Sequence, residues 1–267
     1  MSAHHRAARM GTRPTGNAWA LLQPFKGVTS GATAPWRWAA LIGVGSAACA
    51  GLLGLWIATD ALPIGEAQHG DQSLPLVASV LGAAKSVDEQ LFVFLNSLGS
   101  PRWDGVWLLI TNKLAWLPLY VALLCLVYRH VGLRNLLVVV GLIIVMITLT
   151  DQLANMFKHA VERPRPCREE HLKEIIRYIA LRCGRYGYFS AHAANSMALA
   201  VLFGSLFRRI YRHLGLVLIV WALVVGYSRI YVGVHYPLDT LTGFVIGALA
   251  GVLIYKFSRR LKLSRVL

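Results

Sequence analysis

Apolar residues in this chain gather in long runs, not in the short alternations of a half-buried sheet. Six runs stand out, at roughly 37–59, 106–128, 133–157, 190–207, 213–230 and 238–256. Each approaches the roughly 20 residues that a helix needs to cross a hydrocarbon core. Short basic stretches such as "YRHVGLRN" and "FRRIYRH" separate them. A longer segment between the first two runs ends in "VDEQLFVFLNSL", where Leu91, Phe92, Phe94, Leu95 and Leu98 recur at helical spacing. That spacing predicts an amphipathic helix, either lying in the membrane interface or sealing the side of the bundle. The expected fold class is therefore all-α: a polytopic membrane protein with a six-transmembrane helix bundle and an interfacial amphipathic helix.

Composition agrees with the pattern. Of 267 residues 56% are hydrophobic, and the mean hydropathy is +0.55, which excludes an ordinary soluble domain. Residues 1–36 mix Gly, Pro, Ser and Arg without an apolar run and are expected to form a disordered cytoplasmic tail. Residues 37–85 would hold the first span and a periplasmic linker, and 86–267 the functional core. The net charge of +15 raises nucleic acid as a partner. The cations flank apolar runs instead of forming a stripe on a soluble face, so no nucleic acid is expected.

Their placement predicts a topology. With the N-terminus inside, the inside segments hold 15 of the 27 Lys and Arg and none of the 12 acidic residues. Six spans then leave both termini cytoplasmic. The outside loop at 158–187 breaks the rule, with Lys158, Arg163, Arg165, Arg168, Lys173, Arg177, Arg182 and Arg185. Glu162, Glu169, Glu170 and Glu174 can balance its outer members as weak exposed pairs. Lys158 and Arg165 belong to a different pattern.

Three polar clusters fall at span ends on that outer face. In "KHAVERPRP", Lys158 and Arg165 are seven residues apart, about two helical turns, so both would face one way. Pro164 and Pro166 would end the helix there. In "FSAHAAN", Ser190 can cap the fourth span, its first-turn amides make an anion site, and His192 sits in that turn. In "SRIYVGVHYPLD", Asp239 follows His235 by four and can accept its ring N–H, leaving the other nitrogen free to attack. Arg229 precedes them. Two histidines, a carboxylate, three cations and helix-end amides are the parts that phosphoryl transfer needs. The cations would repel a divalent metal, so no metal and no cofactor is expected.

Lys158-x6-Arg165-Pro166, Ser190-Ala191-His192 and Ser228-Arg229-x5-His235-x3-Asp239 resemble the three signature motifs of the phosphatidic acid phosphatase type 2 superfamily, over about residues 86–267. The resemblance implies a six-helix core and a metal-independent phosphohistidine mechanism. It makes His235 the nucleophile, Asp239 its orienting partner and His192 the acid for the leaving oxygen. Lys158, Arg165, Arg229, Ser190 and the Ala191 amide would hold the phosphate. The second motif is usually Pro-Ser-Gly-His, and Phe189-Ser190-Ala191-His192 departs from it. The amide keeps its role only if the backbone there is helical, because Ala disfavours positive φ. "SAHAANS" is similar to bacterial members acting on lipid A or undecaprenyl pyrophosphate. The expected protein is a bacterial inner-membrane lipid phosphatase with a periplasmic site, its partners a lipid phosphate and membrane lipids. A lipid phosphotransferase and a non-catalytic lipid transporter or binding protein are the alternatives.

Lys113 can snorkel or reach the phosphate. Asp151, inside a span, is a functional candidate or a partner for a neighbouring helix. Trp103, Trp107, Trp116 and Tyr120 suit interfacial or packing roles. Cys49 and Cys125 fall in spans. Cys167 and Cys183 share the outer loop, where an oxidising periplasm would permit a disulfide; two free thiols are the alternative.

Overall fold

The computed structural model of the chain describes residues 73–261. The expected tail at 1–36 and the first expected span at 37–59 lie outside these residues. Within them the regular elements are helices: α1 (Ser73–Ser97), α2 (Asp104–Thr111), α3 (Leu117–Val161), α4 (Ala191–Leu206), α5 (Leu214–Tyr231) and α6 (Pro237–Arg260). Short 3₁₀ turns occupy Pro101–Trp103, Lys113–Trp116, Pro166–Arg168 and Glu170–Leu172. Among the described residues, three stretches are long and apolar enough to cross a membrane: Lys113–Val161, Leu214–Tyr231 and Pro237–Arg260. α4 is apolar but has only 16 residues. Leu137, Ile144, Leu216, Val217 and Leu253 each expose more than half of their surface. Such a shell suits lipid, where side chains need not be polar and the backbone is satisfied inside each helix.

α3 consists of two arms. Gly132 takes φ 75, ψ 175 within it, a backbone conformation that glycine adopts without a Cβ clash. Leu123 and Ile143 line one cavity, although an unbroken helix would set them about 30 Å apart. The chain therefore folds back at Gly132. The expected run at 106–128 is not a single helix. Asn112 is extended, and its side-chain oxygen accepts the Leu114 amide at 3.0 Å. A 3₁₀ turn follows before α3 begins, with Pro118 in its first turn. Asparagine bonding to nearby backbone competes with helix, and proline is tolerated at a helix start. The break at Asn112 places Thr111 at the end of α2 and Lys113 at the start of the 3₁₀ turn, both near the polar clusters: Thr111 bonds Arg229, and Lys113 acts on Lys158.

α4 is the central helix, and ten of its 16 residues are buried. Gly243, Gly247 and Gly251 of α6 face it at intervals of four residues. A Cβ on Gly247 would lie 2.1 Å from the Ala194 carbonyl oxygen, and one on Gly243 2.5 Å from that of Ser190. Small residues at the crossing let two backbones approach closely, which sets the first turn of α6 against the first turn of α4.

α1 starts well before the predicted amphipathic segment and packs inward through Phe92. That ring is fully buried beside Leu172, Ile230 and Tyr236, while Leu91, Phe94 and Leu98 are exposed. Buried Asn96 accepts the Arg177 amide at 2.7 Å and donates to the carbonyls of Arg177 and Tyr231 at 3.0 Å each. These bonds tie α1 to both the outer loop and the end of α5.

Gly247→Val tests the α4–α6 contact. Its side chain cannot be accommodated without separating the helices, so the variant should lose about 1–3 kcal/mol of stability. A thermal midpoint in detergent equal to that of the wild type would show that the contact is not limiting.

Candidate active site

Chain reversals carry the end of α3, the start of α4, the end of α5 and the start of α6 to one end of the bundle. Lys158 lies in the last turn of α3. The helix stops at Val161 because Glu162 turns left-handed (φ 49), its amide still bonded to the Lys158 carbonyl at 3.1 Å. Pro164 and Pro166 then bar the helix from resuming. Arg165 is thus not on a helix face with Lys158, as the seven-residue spacing predicted. It sits in extended loop (φ −81, ψ 155), and its Nε donates to the Tyr186 carbonyl at 2.9 Å. The loop nevertheless keeps its charge in electrostatic reach of Lys158, Asp239 and His235. Lys113 and Arg229 also act on Lys158, so cations converge from four segments.

Ser190 is the N-cap of α4 and is fully buried. Its amide donates to the Asp239 carbonyl at 3.0 Å, which joins two helix starts. Ala191 is the first helical residue and has no positive φ, so the departure from glycine costs the backbone nothing. His192 follows in the same turn, within reach of Arg229, Lys113, His235 and Lys158.

Arg229 closes α5. Its Nη1 donates to the Thr111 hydroxyl, and its Nε is buried with no hydrogen-bond partner. Its carbonyl accepts the Val234 amide at 3.1 Å, which folds the chain back and brings His235 to the site. His235 Nδ1 lies 3.4 Å from Asp239 Oδ2, and both side chains are buried. The same oxygen accepts the Tyr236 amide at 3.1 Å. Burial pushes the His235 pKa down to about 4, with Arg165 and Arg229 adding to the effect and the Asp239 bond opposing it. The ring is therefore neutral at physiological pH, with one ring nitrogen carrying a free lone pair.

Sequence reasoning placed Arg163 among the balanced outer members of the loop; the structure corrects this. Its Nη1 bonds Asp239 Oδ1 at 2.9 Å and its Nη2 bonds Asp88 Oδ2 at 2.6 Å, with all three side chains no more than 9% exposed. Its guanidinium carbon stacks 3.9 Å over the Tyr236 ring. Burial alone would lower its pKa, but the carboxylates of Asp239 and Asp88 outweigh this and raise it. Asp88 was not singled out at all. The available signal for Arg163 was its position between Lys158 and Arg165; Asp88 gave none.

Cys167 and Cys183 form a disulfide with Cα atoms 6.4 Å apart. The neighbouring Gly184 packs against the Arg165 guanidinium, where a Cβ would come within 3.2 Å of its Nε. The staple thus holds the segment that backs Arg165. Asp151 accepts a bond from Asn195 Nδ2 at 2.9 Å, so it pairs with α4. Trp107 stacks on Tyr231 with centroids 4.9 Å apart, and Trp116 and Tyr120 pack edge-on to Trp221. A cavity of about 310 Å³ runs along α4 from His192 to Phe203, with Thr111, Lys113 and Asn195 beside His192 and Tyr120, Leu199 and Trp221 further along. Its lining is almost wholly apolar.

Comparison with known proteins bears on this geometry. The profile of the PAP2 superfamily matches residues 136–263. A lipid A 4'-phosphatase of Bacteroides thetaiotaomicron is 36% identical over 178 residues, 66% of this chain and 78% of that protein. The chain belongs to the PAP2 superfamily. An undecaprenyl-diphosphatase of Bacillus subtilis is 42% identical over 65 residues, 24% of this chain and 33% of its own. The crystal structure of a transmembrane PAP2-type phosphatidylglycerolphosphate phosphatase from Bacillus subtilis shares the fold. Its TM-score is 0.55 at 21% identity, covering 67% of this chain and 87% of that one. This PAP2 protein is a membrane-embedded phosphatase. α1, with Asp88, lies before the residues that the family profile matches.

Arg163→Ala would leave two buried carboxylates side by side without a counter-charge. The expected loss of stability is about 3–5 kcal/mol, with only partial recovery in Arg163→Lys, which cannot bridge both acids. Thermal unfolding of the two variants in detergent measures it.

Proposed function

We propose that this PAP2 protein removes a phosphate group from a membrane lipid at the periplasmic face of a bacterial inner membrane, with both termini in the cytoplasm. One observation carries the reading: the cationic cluster around His235 and His192 adjoins an apolar cavity that begins at His192 itself. A headgroup phosphate can be held by charge while the apolar part of the same molecule lies along α4. A soluble phosphoester would have no use for the second half of that arrangement.

In the proposed reaction, Lys158, Arg165, Arg229 and the first-turn amides at Ser190 and Ala191 hold the phosphate oxygens. Asp239 accepts the Nδ1–H of His235, which leaves Nε2 with its lone pair. Nε2 attacks phosphorus, the bond to the lipid oxygen breaks, and His192 delivers a proton to that oxygen. Water then attacks the phosphohistidine, with His192 taking its proton, and inorganic phosphate leaves. No step draws on a cofactor.

Lipid A phosphates and undecaprenyl pyrophosphate are the two leading substrates. The named relative that aligns over most of its length is a lipid A 4'-phosphatase, which favours lipid A. Purified protein in detergent with EDTA should release phosphate from lipid A faster than from undecaprenyl pyrophosphate or phosphatidic acid. His235→Ala should cut release by at least about 10⁴-fold. Loss of activity with EDTA in the wild type would place a metal in the reaction and overturn the cation-based reading. The opposite lipid ranking would reassign the substrate without touching the mechanism.

Only the neutral His235 ring can attack, and its burial keeps it neutral well below the ordinary histidine range. The acid limb of kcat/KM, corrected for the substrate's own ionisation, should therefore lie nearer pH 4 than pH 6.5. An acid limb near 6.5 would mean that the titrating nucleophile is a more exposed group.

A further inference from the structure

Asp239 does not act on His235 alone. Oδ2 faces the imidazole and accepts the Tyr236 amide, while Oδ1 is taken by Arg163 at 2.9 Å. The other nitrogen of Arg163 reaches Asp88 at 2.6 Å. The second oxygen of Asp88 accepts the Leu238 amide at 2.8 Å, one residue before Asp239. Asp88 therefore grips the neighbourhood of Asp239 twice, once through the guanidinium and once through the backbone of α6. The Tyr236 ring lies under Arg163 and packs edge-on to Phe92 of α1 at 5.3 Å. The side-chain contacts that orient the Arg163 guanidinium thus return to α1 or to the start of α6.

We propose that Asp88 and Arg163 are positioning residues that fix the Asp239 carboxylate, and through it the His235 ring, so that α1 takes part in catalysis without touching the substrate. The chain runs Asp88–Arg163–Asp239–His235 and spans three segments of the fold. A carboxylate has several lone-pair directions, and one that is fully buried can rotate to whichever donor is strongest. Arg163 occupies Oδ1 from a fixed direction because its own fork is held at both ends, which leaves Oδ2 aimed at Nδ1. Without Asp88 the guanidinium can swing, and the carboxylate with it. A misalignment of about 1 Å at a reacting group costs on the order of a hundredfold in rate.

This inference rests on His235 as the nucleophile, and the experiment separates the two. Phosphate release from lipid A and from phosphatidic acid is measured in detergent for wild type, His235→Ala, Asp239→Asn, Asp88→Asn and the Asp88→Asn/Asp239→Asn pair, with inhibition by inorganic phosphate measured alongside. Asp88→Asn keeps the side chain's shape and its carbonyl acceptor for Leu238 but removes the charge facing Arg163. It should lower kcat by about tenfold to a hundredfold, with KM and the phosphate inhibition constant within about twofold, because Lys158, Arg165 and Ser190 are untouched. In the Asp239→Asn background the same change should add almost nothing, since groups acting as one unit are not additive. Wild-type kcat in Asp88→Asn would overturn the proposal. So would a full additional loss in the double variant, or a parallel weakening of phosphate inhibition, which would signal general loosening. Should Asp88→Asn not fold, Arg163→Lys takes its place, and wild-type kcat there overturns the proposal equally. Activity retained in His235→Ala would instead remove the nucleophile assignment, a separate readout.

Discussion

A carboxylate with no exposed surface stays charged only where the protein supplies what water no longer does. Asp239 is in that position, and the arrangement of the site follows from how it is satisfied. Arg163 neutralises one oxygen, the Tyr236 amide and the His235 ring share the other, and the Ser190 amide bonds its backbone carbonyl. Arg163 and Ser190 come from distant parts of the chain, whereas His235 and Tyr236 immediately precede the same helix. The geometry of the His235–Asp239 pair therefore depends on helix packing, and above all on the close α4–α6 crossing that glycines at 243, 247 and 251 permit.

The remaining cations have the opposite problem. Arg229 keeps a buried Nε without a partner, and Lys158 is repelled by Arg165, Lys113 and Arg229. Like charges gathered at the end of an apolar bundle are costly unless an anion joins them. In the function we propose, the phosphate of the substrate is that anion. The adjoining cavity along α4 has the complementary character, being apolar almost throughout. Charge at one end and hydrocarbon beyond it match the two halves of a lipid phosphate.

The second and third motif clusters were legible in the sequence because their key spacings are local. Ser190 as a cap, His192 in the first helical turn, and Asp239 four residues after His235 all follow from spacing within one turn. The pairs Arg163–Asp239 and Arg163–Asp88 join residues 76 and 75 positions apart, and no periodicity connects them. Arg163 read as one more cation in a basic loop, and Asp88 as one polar position on an amphipathic helix. The placement of Arg165 on a helix face failed for a related reason. Seven residues span two turns only if the helix continues, and Glu162 ends it in a left-handed conformation.

Apolar runs, basic flanks and the motif spacings by themselves determined a helical membrane phosphatase with polar clusters at span ends, because hydrophobicity and helix geometry act over a few residues at a time. The reversal at Gly132 falls in the short basic stretch that already separated two apolar runs in the sequence. Tertiary structure alone decided that Thr111 bonds Arg229 and that α1 reaches Asp239 through Asp88 and Arg163. These depend on which buried charges find each other when helices pack, and that pairing is settled by desolvation and distance in three dimensions, which the order of residues along the chain does not encode locally.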